Sequence, residues 1–217
     1  MSGASIQKKL NKAYGKVARK IGFQADVYRI SQDYRNPIDD QNWLESKPFS
    51  VSQNDKYSAP VGSNLWLAWI DPNLSVQYQL QVGDIVEIAE TQQVYYIIDM
   101  HPIHPFRALE CNSTISISSL KEYADDGEGW QPSSDVEFVT NMPAWVQQSG
   151  SSSIDGGFIP ARSALSEDSP VYTIQLWMPE GSIKPNDIVT LKDGMRLTVQ
   201  QAQWDIRGYK LIASEVK

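Results

Sequence analysis

The first 22 residues combine apolar and basic positions with the period of an α-helix. The apolar positions recur at spacings of three and four residues and are Ile6, Leu10, Tyr14 (or Ala13), Val17 and Ile21. Ser5 is suited to cap the N-terminus of such a helix, and Gly22 is suited to end it. The pattern predicts an amphipathic N-terminal helix whose apolar stripe packs either on the same chain or on a neighbouring molecule.

From residue 23 onward the pattern is that of β-strands. Short runs rich in β-branched and aromatic residues alternate with turns that contain Gly, Pro, Asn and Asp. The predicted strands are FQADVYRI, NLWLAWI, DIVEIAE, VYYIID, RALECNSTISI, VYTIQLWM, DIVTLK, RLTVQQAQW and YKLIASEV. Because no second helical pattern follows, we expect a mainly β body built from small barrels or sandwiches.

An internal repeat divides this body into two related β modules. Residues 83–111 align with residues 186–214 without gaps, at a constant offset of 103 positions. Four positions are identical, and the agreement lies mainly in the apolar positions, such as Leu109 with Ile212. Each copy also follows an aromatic strand and a turn that contains proline. We therefore predict a duplicated unit.

The repeat and the polar segments together predict the domain organisation. A basic N-terminal helix or arm occupies residues 1–22, and the first β module occupies residues 23–123. An acidic, turn-rich linker at 124–135 precedes the second β module at 136–217. That module contains a Ser/Gly-rich loop at 147–170.

The stretch DMHPIHPFRALEC, residues 99–111, contains both histidines and the only cysteine of the chain. In the gapless alignment His101, His104 and Cys111 correspond to Trp204, Arg207 and Ser214, so the second copy lacks these metal-binding groups. Two prolines hold the stretch extended, and two histidines with one cysteine leave a zinc site one ligand short. We interpret the stretch as a connection between two strands, with Cys111 as a small strand residue and not a nucleophile.

Composition and charge narrow the possible functions. The chain has 217 residues, 41% of them hydrophobic, and it contains no apolar run of the roughly 20 residues that span a bilayer. One cysteine cannot form an internal disulfide, in agreement with a cytoplasmic protein. Residues 1–36 have a net charge of +6 and residues 37–217 a net charge of −13. A basic arm on an acidic body is suited to contact nucleic acid, an anionic membrane or an acidic protein surface. The alternative is a solvated helix that uses Lys on its polar side and has no partner.

The chain lacks the common catalytic and nucleotide-binding signatures. It has no G-x-S-x-G elbow, no Walker loop and no G-x-G-x-x-G motif. Its acidic residues fall mostly in predicted turns, where a solvated role is commoner than acid–base catalysis. We expect no enzymatic activity, no cofactor and no metal.

Several segments follow one another in a characteristic order. They are YGKVARKIG in the helix, then LWLAWIDPNLSVQYQLQVGDIVEI and YYIIDMHPIHPFRALECN, then MPAW, LWMPEGSIKPNDIVTLKDGMRLTV and GYKLIA. Their most specific parts are the GD strand followed by a tyrosine-rich strand and the P-x-x-P-x-x-A-x-x-C-N stretch. In this order, over nearly the whole chain, they resemble the head-to-tail connector proteins (stopper, collar or neck) of tailed bacteriophages with contractile tails.

The resemblance implies a structural virion protein that forms a homo-oligomeric ring in the phage neck. Such a ring joins the portal or adaptor of the head to the tail terminator or tube. It surrounds the DNA channel, through which the genome passes without specific binding. The resemblance also implies no cofactor and no membrane, and a place in the virion after assembly in the host bacterial cytoplasm. A phage baseplate or tail-tube component is the alternative within the same class.

Two sets of residues are candidates for contacts with other subunits. The basic helix supplies a partner-docking arm, namely Lys8, Lys9, Lys12, Tyr14, Lys16, Val17, Arg19, Lys20 and Ile21. Four tryptophans are candidates for module cores or subunit interfaces, namely Trp66, Trp69, Trp145 and Trp177. Two other functions remain open, a nucleic-acid-binding module that uses the basic helix, and a hydrolase or metal enzyme centred on His101, His104 and Cys111.

Overall fold

The computed structural model of the chain describes residues 3–30, 35–52, 64–73, 79–101, 104–119, 136–149 and 170–216. In these ranges one helix precedes twelve strands, and the strands form two closed six-stranded barrels. The prediction of a mainly β chain, with two small related modules behind an amphipathic helix, is confirmed. Among the described residues no helix is both long and apolar enough to cross a membrane.

The first barrel consists of two three-stranded antiparallel meanders. The elements are α1 (Gly3–Ile21), β1 (Phe23–Tyr28), β2 (Trp43–Ser52), β3 (Leu65–Ile70), β4 (Ile85–Ile88), β5 (Val94–Asp99) and β6 (Phe106–Cys111). The meanders close into a barrel because β3 pairs with β6 and β1 pairs with β4. Closure leaves no unpaired sheet edge in the barrel.

The second barrel repeats this topology strand for strand. Its elements are β7 (Ser113–Ser119), β8 (Val136–Ser149), β9 (Val171–Leu176), β10 (Ile188–Leu191), β11 (Arg196–Asp205) and β12 (Gly208–Glu215). Its meanders join through pairing of β9 with β12 and of β7 with β10, as in the first barrel. The duplication therefore covers all six strands, a wider span than the sequence repeat.

The gapless register of the sequence repeat is correct only for β4 and β10. The turn after β4 is one residue longer, since the Ile88 amide donates to the Gln93 carbonyl whereas the Leu191 amide donates to the Met195 carbonyl. The amides of Ile97 and Val199 then donate to the carbonyls of two equivalent aspartates, each at 2.9 Å. Ile97 thus corresponds to Val199, one position away from the alignment.

A further shift follows in the last strand of each barrel. Cys111 lies opposite Val94, and the Val216 amide donates to Arg196, the structural counterpart of Val94, at 3.0 Å. Cys111 therefore corresponds to Val216, and the predicted match with Ser214 is wrong. The β5–β6 hairpin has short strands and a long connection, whereas the β11–β12 hairpin has longer strands and a short turn. A gapless alignment of apolar residues does not reveal this difference in the length of the strands and of the connection.

The boundary between the modules lies at Asn112, so the predicted limits of 23–123 and 136–217 are wrong. Strand β7 belongs to the second barrel, and the predicted single run RALECNSTISI is two strands in two barrels. The Asn112 side chain accepts from the Val146 amide at 2.8 Å and donates to the Val146 carbonyl at 2.9 Å. It thereby continues the pairing of β8 across the junction.

Two predicted connectors differ in outcome. The linker at 124–135 and most of the Ser/Gly-rich loop, residues 150–169, lie outside the described residues. The first residues of that loop, 147–149, belong to strand β8. Strands β2 and β8 were not predicted, because each mixes polar residues with a proline, Pro48 or Pro143, that reads locally as a turn.

The ends of α1 follow the sequence prediction in part. The Gly22 amide donates to the Ala18 carbonyl at 2.8 Å and the helix ends at Ile21, as predicted. Ser5 lies within the helix and is not its cap, because the helix already includes Gly3.

The helix is fixed to the first barrel by its buried face. Tyr14 and Ala18 are 7% and 1% exposed, and the Tyr14 ring meets the Phe106 ring edge-on at 5.6 Å. At Gly22 a Cβ atom would lie 2.5 Å from the Phe49 carbonyl oxygen, a separation that only glycine permits. The middle of the apolar stripe therefore packs on the same chain, whereas its two ends, Ile6 and Ile21, are 45% and 65% exposed.

The two barrels share a buried interface on the outer surface of β5 and β6. Tyr96 is fully buried there, and its hydroxyl donates to the Pro143 carbonyl of the second barrel at 2.9 Å. The Trp177 ring covers Gly83, where a Cβ atom would approach it to 2.6 Å. Trp145 also packs against this cluster. The interface fixes one barrel against the other.

A buried aspartate recurs at the same place in both barrels, just before the fourth strand. Asp84 is 1% exposed and accepts two bonds from Arg29, at 2.7 and 2.8 Å. Asp187 is 6% exposed and accepts from the Ser119 hydroxyl at 2.6 Å. Arg29 and Ser119 follow equivalent positions of the first strands, so each aspartate ties the first strand of its barrel to the fourth.

Replacing Gly83 with Ala is expected to lower the free energy of unfolding by about 2 to 4 kcal/mol, through backbone strain and collision with the Trp177 ring. The matched control is Gly194→Ala, since Gly194 also has a positive φ (86°) but has open space around it. That control should lose only about 1 kcal/mol. Urea unfolding followed by tryptophan fluorescence measures both, and equal losses would contradict the Trp177 contact.

Replacing Asp84 with Asn should cost about 2 to 3 kcal/mol of unfolding free energy. The change removes the negative charge that accepts two charge-assisted hydrogen bonds from Arg29, and it places an NH₂ group near the Arg29 donors. Asp187→Asn should cost about 1 kcal/mol, because its partner is a neutral hydroxyl. Parallel denaturant titrations give the comparison. A larger loss of unfolding free energy in the Asp187 variant would contradict the stronger bonding assigned to Asp84.

Candidate interaction surface

The outward face of α1 is a continuous basic surface. Six cationic side chains lie on it and all are exposed: Lys8, Lys9, Lys12, Lys16, Arg19 and Lys20. At about 100° of rotation per residue they fall within an arc of about 120°, and they extend along about 18 Å of the helix. The sequence of α1 contains no Asp or Glu. We call this set the α1 basic face.

The basic face is held in a fixed orientation. Tyr14 anchors the opposite side of the helix in the core of the first barrel. The Arg19 Nε donates to the Gly15 carbonyl at 3.1 Å, and the Gln7 side chain donates to the Asn11 side chain at 2.9 Å. A partner would therefore meet a helix whose position on the barrel is already set.

The predicted docking arm divides into two groups. Its six cations are all on the exposed side, as a docking surface requires. Tyr14 is wrong as a docking residue because it is buried against its own barrel, and Val17 is half-buried. Ile21 is 65% exposed and lies beside Phe23, which is 47% exposed. The arm is thus a packed helix with one accessible face.

The barrel beneath this helix has the opposite charge. The described residues between 23 and 112 include ten Asp or Glu and four Lys or Arg. The described part of the second barrel is nearly balanced, with six against five. The strongest contrast of charge in the described chain is therefore between α1 and the barrel on which it packs.

In the stretch at residues 99–111, Asp99 ends β5 and residues 106–111 form β6, and the two histidines lie between these strands. His101 and His104 are exposed in the segment between β5 and β6, with ring centroids 4.9 Å apart. Cys111 lies at the other end of β6, about 16 Å beyond Phe106 at about 3.3 Å per residue. In the described part of the chain, no three His, Cys, Asp or Glu side chains are grouped to hold a metal ion.

The surroundings of Cys111 disfavour the thiolate. Burial raises the pKa of the Cys111 thiol well above its usual range, and the neighbouring Glu110 carboxylate raises it further. The thiolate is the nucleophilic form of cysteine. Cys111 is therefore poorly suited to covalent catalysis near neutral pH.

Glu110 has a structural partner of its own at the same end of the first barrel. The Trp66 indole donates to the Glu110 carboxylate at 2.7 Å, and its ring meets Tyr95 edge-on at 6.3 Å. Burial raises the pKa of Tyr95 to about 12, and the charge of Glu110 adds to this effect. Tyr95 therefore keeps its hydroxyl proton at neutral pH.

All four predicted tryptophans pack against clusters of the same chain. Trp66 and Trp69 lie against the core of the first barrel, and Trp145 and Trp177 lie in the interface between the barrels. Among the tryptophans that the structure describes, Trp43 at 47% and Trp204 at 37% are the more exposed. Trp43 was missed because it belongs to the unpredicted strand β2. The shared pattern P-x-x-V in KPFSV and MPAWV is the signal that would have linked β2 to β8.

Comparison with protein families, with curated proteins and with solved structures finds no match for the chain.

The raised pKa of Cys111 predicts slow alkylation of the native protein. With iodoacetamide at pH 8, Cys111 should react at least about tenfold more slowly in the folded chain than in the chain unfolded in urea, because each unit of pKa lowers the thiolate fraction about tenfold. Mass spectrometry of quenched samples gives the two rates. Similar rates in both states would contradict a raised pKa of the Cys111 thiol in the folded chain.

Proposed function

We propose that the chain is a structural subunit of a ring in the neck of a tailed bacteriophage with a contractile tail. In this role it joins the portal or adaptor of the head to the tail and surrounds the DNA channel. The proposal starts from the resemblance of the sequence to head-to-tail connector proteins. The observation that carries it is the α1 basic face, a rigid docking surface on an acidic barrel.

The two fused barrels support a mechanical role. A ring that joins two larger assemblies must keep its shape, and here a buried interface with Tyr96 and Trp177 holds the barrels together. Closed barrels also avoid uncontrolled strand addition between subunits. Specific contacts then depend on surface charge and on exposed side chains, which ring subunits use to select their neighbours.

The charge distribution supports a channel that does not retain DNA. Acidic surfaces repel phosphates, so an acidic barrel wall facing the lumen would let the genome slide past without specific binding. The head adaptor or portal and the tail terminator or tube are then the neighbours above and below. A baseplate or tail-tube subunit is the alternative, and it would need the same kind of surfaces. Labelling of particles distinguishes this alternative from a neck subunit.

The α1 basic face also favours a second candidate, a nucleic-acid-binding module. If all six cations contacted phosphates, the logarithm of the affinity would fall with the logarithm of salt concentration with a slope of about −5. A fluorescence-anisotropy titration with duplex DNA between 50 and 300 mM NaCl measures this slope. A steep slope at submicromolar affinity would make DNA binding the leading function, whereas no binding at 50 mM NaCl would remove it.

Deleting residues 1–22 is not a clean test of the docking arm. The deletion also removes Tyr14 from the core of the first barrel, removes the buried Ala18 and takes away the ring that covers Phe106. Loss of a buried aromatic side chain alone costs about 3 to 5 kcal/mol. Substitutions on the exposed cations change the surface and leave this core in place.

Antibody labelling of particles from the phage that encodes the chain tests the location. In electron micrographs we expect the label at the junction of head and tail, together with peptides of the chain in mass spectra of purified particles. Label at the distal end of the tail would overturn the neck assignment in favour of a baseplate. Absence of the chain from purified particles would overturn the virion assignment altogether.

A further inference from the structure

A second charged surface lies on the outer side of β1, β2 and β4. Asp26 and Glu87 are directly opposite each other on β1 and β4. Like charges at directly opposed positions destabilise a sheet pair. Within the described residues the salt bridges involve other carboxylates, so neither Asp26 nor Glu87 has a cation within 4.0 Å there. Among the described residues, no cation therefore neutralises the repulsion between these two carboxylates.

An exposed tryptophan lies beside this carboxylate pair. The Trp43 indole donates to the Asp26 carboxylate at 3.1 Å, while 47% of the residue remains exposed. Ser46 hydrogen-bonds to the same carboxylate oxygen. On the other side, the Tyr28 hydroxyl donates to Glu87 at 3.3 Å. Asp26, Glu87 and Trp43 with these two hydroxyls form what we call the β1–β4 acidic face.

Three carboxylates on or beside this face act on the hydroxyl of Tyr28. The pKa of Tyr28 is raised to about 12, first by burial and then by the charges of Glu87, Asp26 and Asp40. Three carboxylates on β1, on β4 and in the segment before β2 are thus close enough to act on one hydroxyl. A row of cations is the chemistry that would relieve their mutual repulsion.

We infer that the α1 basic face of one copy docks on the β1–β4 acidic face of a second copy, in a head-to-tail contact between identical chains. The inference rests on the proposed function, since it supplies the lateral contact by which the ring forms. The two surfaces differ, so the contact is heterologous. In a pair of copies, one copy keeps a free basic face and the other keeps a free acidic face. Repetition around an axis closes such contacts into a ring.

Charge complementarity favours a second copy as the occupant. The α1 basic face has six cations and no acid, and the β1–β4 acidic face has carboxylates without cations among its described contacts. Tyr14 holds the helix on its own barrel, and the exposed cations of its outward side, Lys12 and Lys16 among them, are accessible to another molecule. An exposed indole beside carboxylates suits Lys or Arg, which it contacts through cation–π attraction.

Charge reversal at both surfaces tests the contact. Sedimentation equilibrium at 50 mM NaCl measures self-association of the full chain, K12E/K16E, D26K/E87K and the chain that carries all four substitutions. Each double variant should weaken association at least tenfold, and the fourfold variant should recover most of that loss because the two surfaces are again complementary. Raising NaCl to 300 mM should weaken the association of the natural chain.

A matched control separates this contact from a general effect of charge. K184E/K192E changes the net charge by the same amount at two exposed lysines of the second barrel and should associate like the natural chain. If D26K/E87K unfolds, as judged by circular dichroism, D26N/E87Q serves in its place and should weaken association several-fold. K12E/K16E alters only exposed side chains and keeps the core intact.

Several outcomes would overturn the inference. A natural chain that stays monomeric at 50 mM NaCl up to several hundred micromolar overturns it, as does a K12E/K16E variant that associates normally. Equal losses in K12E/K16E and K184E/K192E also overturn it. So does a K12E/K16E variant that loses only its binding to 30-base-pair duplex DNA, which would assign the α1 basic face to nucleic acid.

The failure of this contact and the failure of the proposed function are distinguishable. Normal association of K12E/K16E, with label at the junction of head and tail, overturns the contact and leaves the neck function in place. Loss of association in K12E/K16E but not in the control, with the chain absent from particles, supports the contact and overturns the neck function.

Discussion

Closure of each barrel by its first and fourth strands is the constraint on which the rest of the structure depends. In the first barrel the carboxylate of Asp84, at the entry to β4, is held by Arg29 at the exit of β1. In the second barrel Asp187 and Ser119 occupy the equivalent positions. A buried carboxylate is costly unless it is fully hydrogen-bonded, so each closure depends on a specific pair of side chains. Once closed, the barrels expose only their outer faces and ends.

Closure determines how the remaining apolar surface is covered. The outer face of β5 and β6 is apolar and packs on the second barrel through Tyr96 and Trp177. Tyr14 brings α1 onto the core of the first barrel, which turns the cations of the helix outward. The surfaces that these contacts leave accessible on the first barrel and its helix include the α1 basic face and the β1–β4 acidic face.

The sequence predicted which segments form helix or strand better than it predicted which strands pair with each other. The strands with clear apolar alternation, such as β5 and β9, were found because period-two patterns are local. Strands β2 and β8 were missed because Pro48 and Pro143 suggest turns, although both prolines occupy the same register position in their barrels. The acidic face went unrecognised for the same reason, since Trp43 begins β2 and the pairing of Asp26 with Glu87 joins residues far apart in sequence.

The sequence by itself determined the amphipathic helix, the β character of the body, the duplication and the segregation of charge, because each is a local pattern or a sum over residues. Only the tertiary structure decided which barrel each strand joins, where Asn112 divides the barrels, and that Cys111 corresponds to Val216. Turn lengths and β-bulges shift the register between strands without changing the apolar pattern inside them. The tertiary structure also decided which face of α1 is exposed, because the Tyr14 contact that fixes it lies with Phe106, in a distant strand.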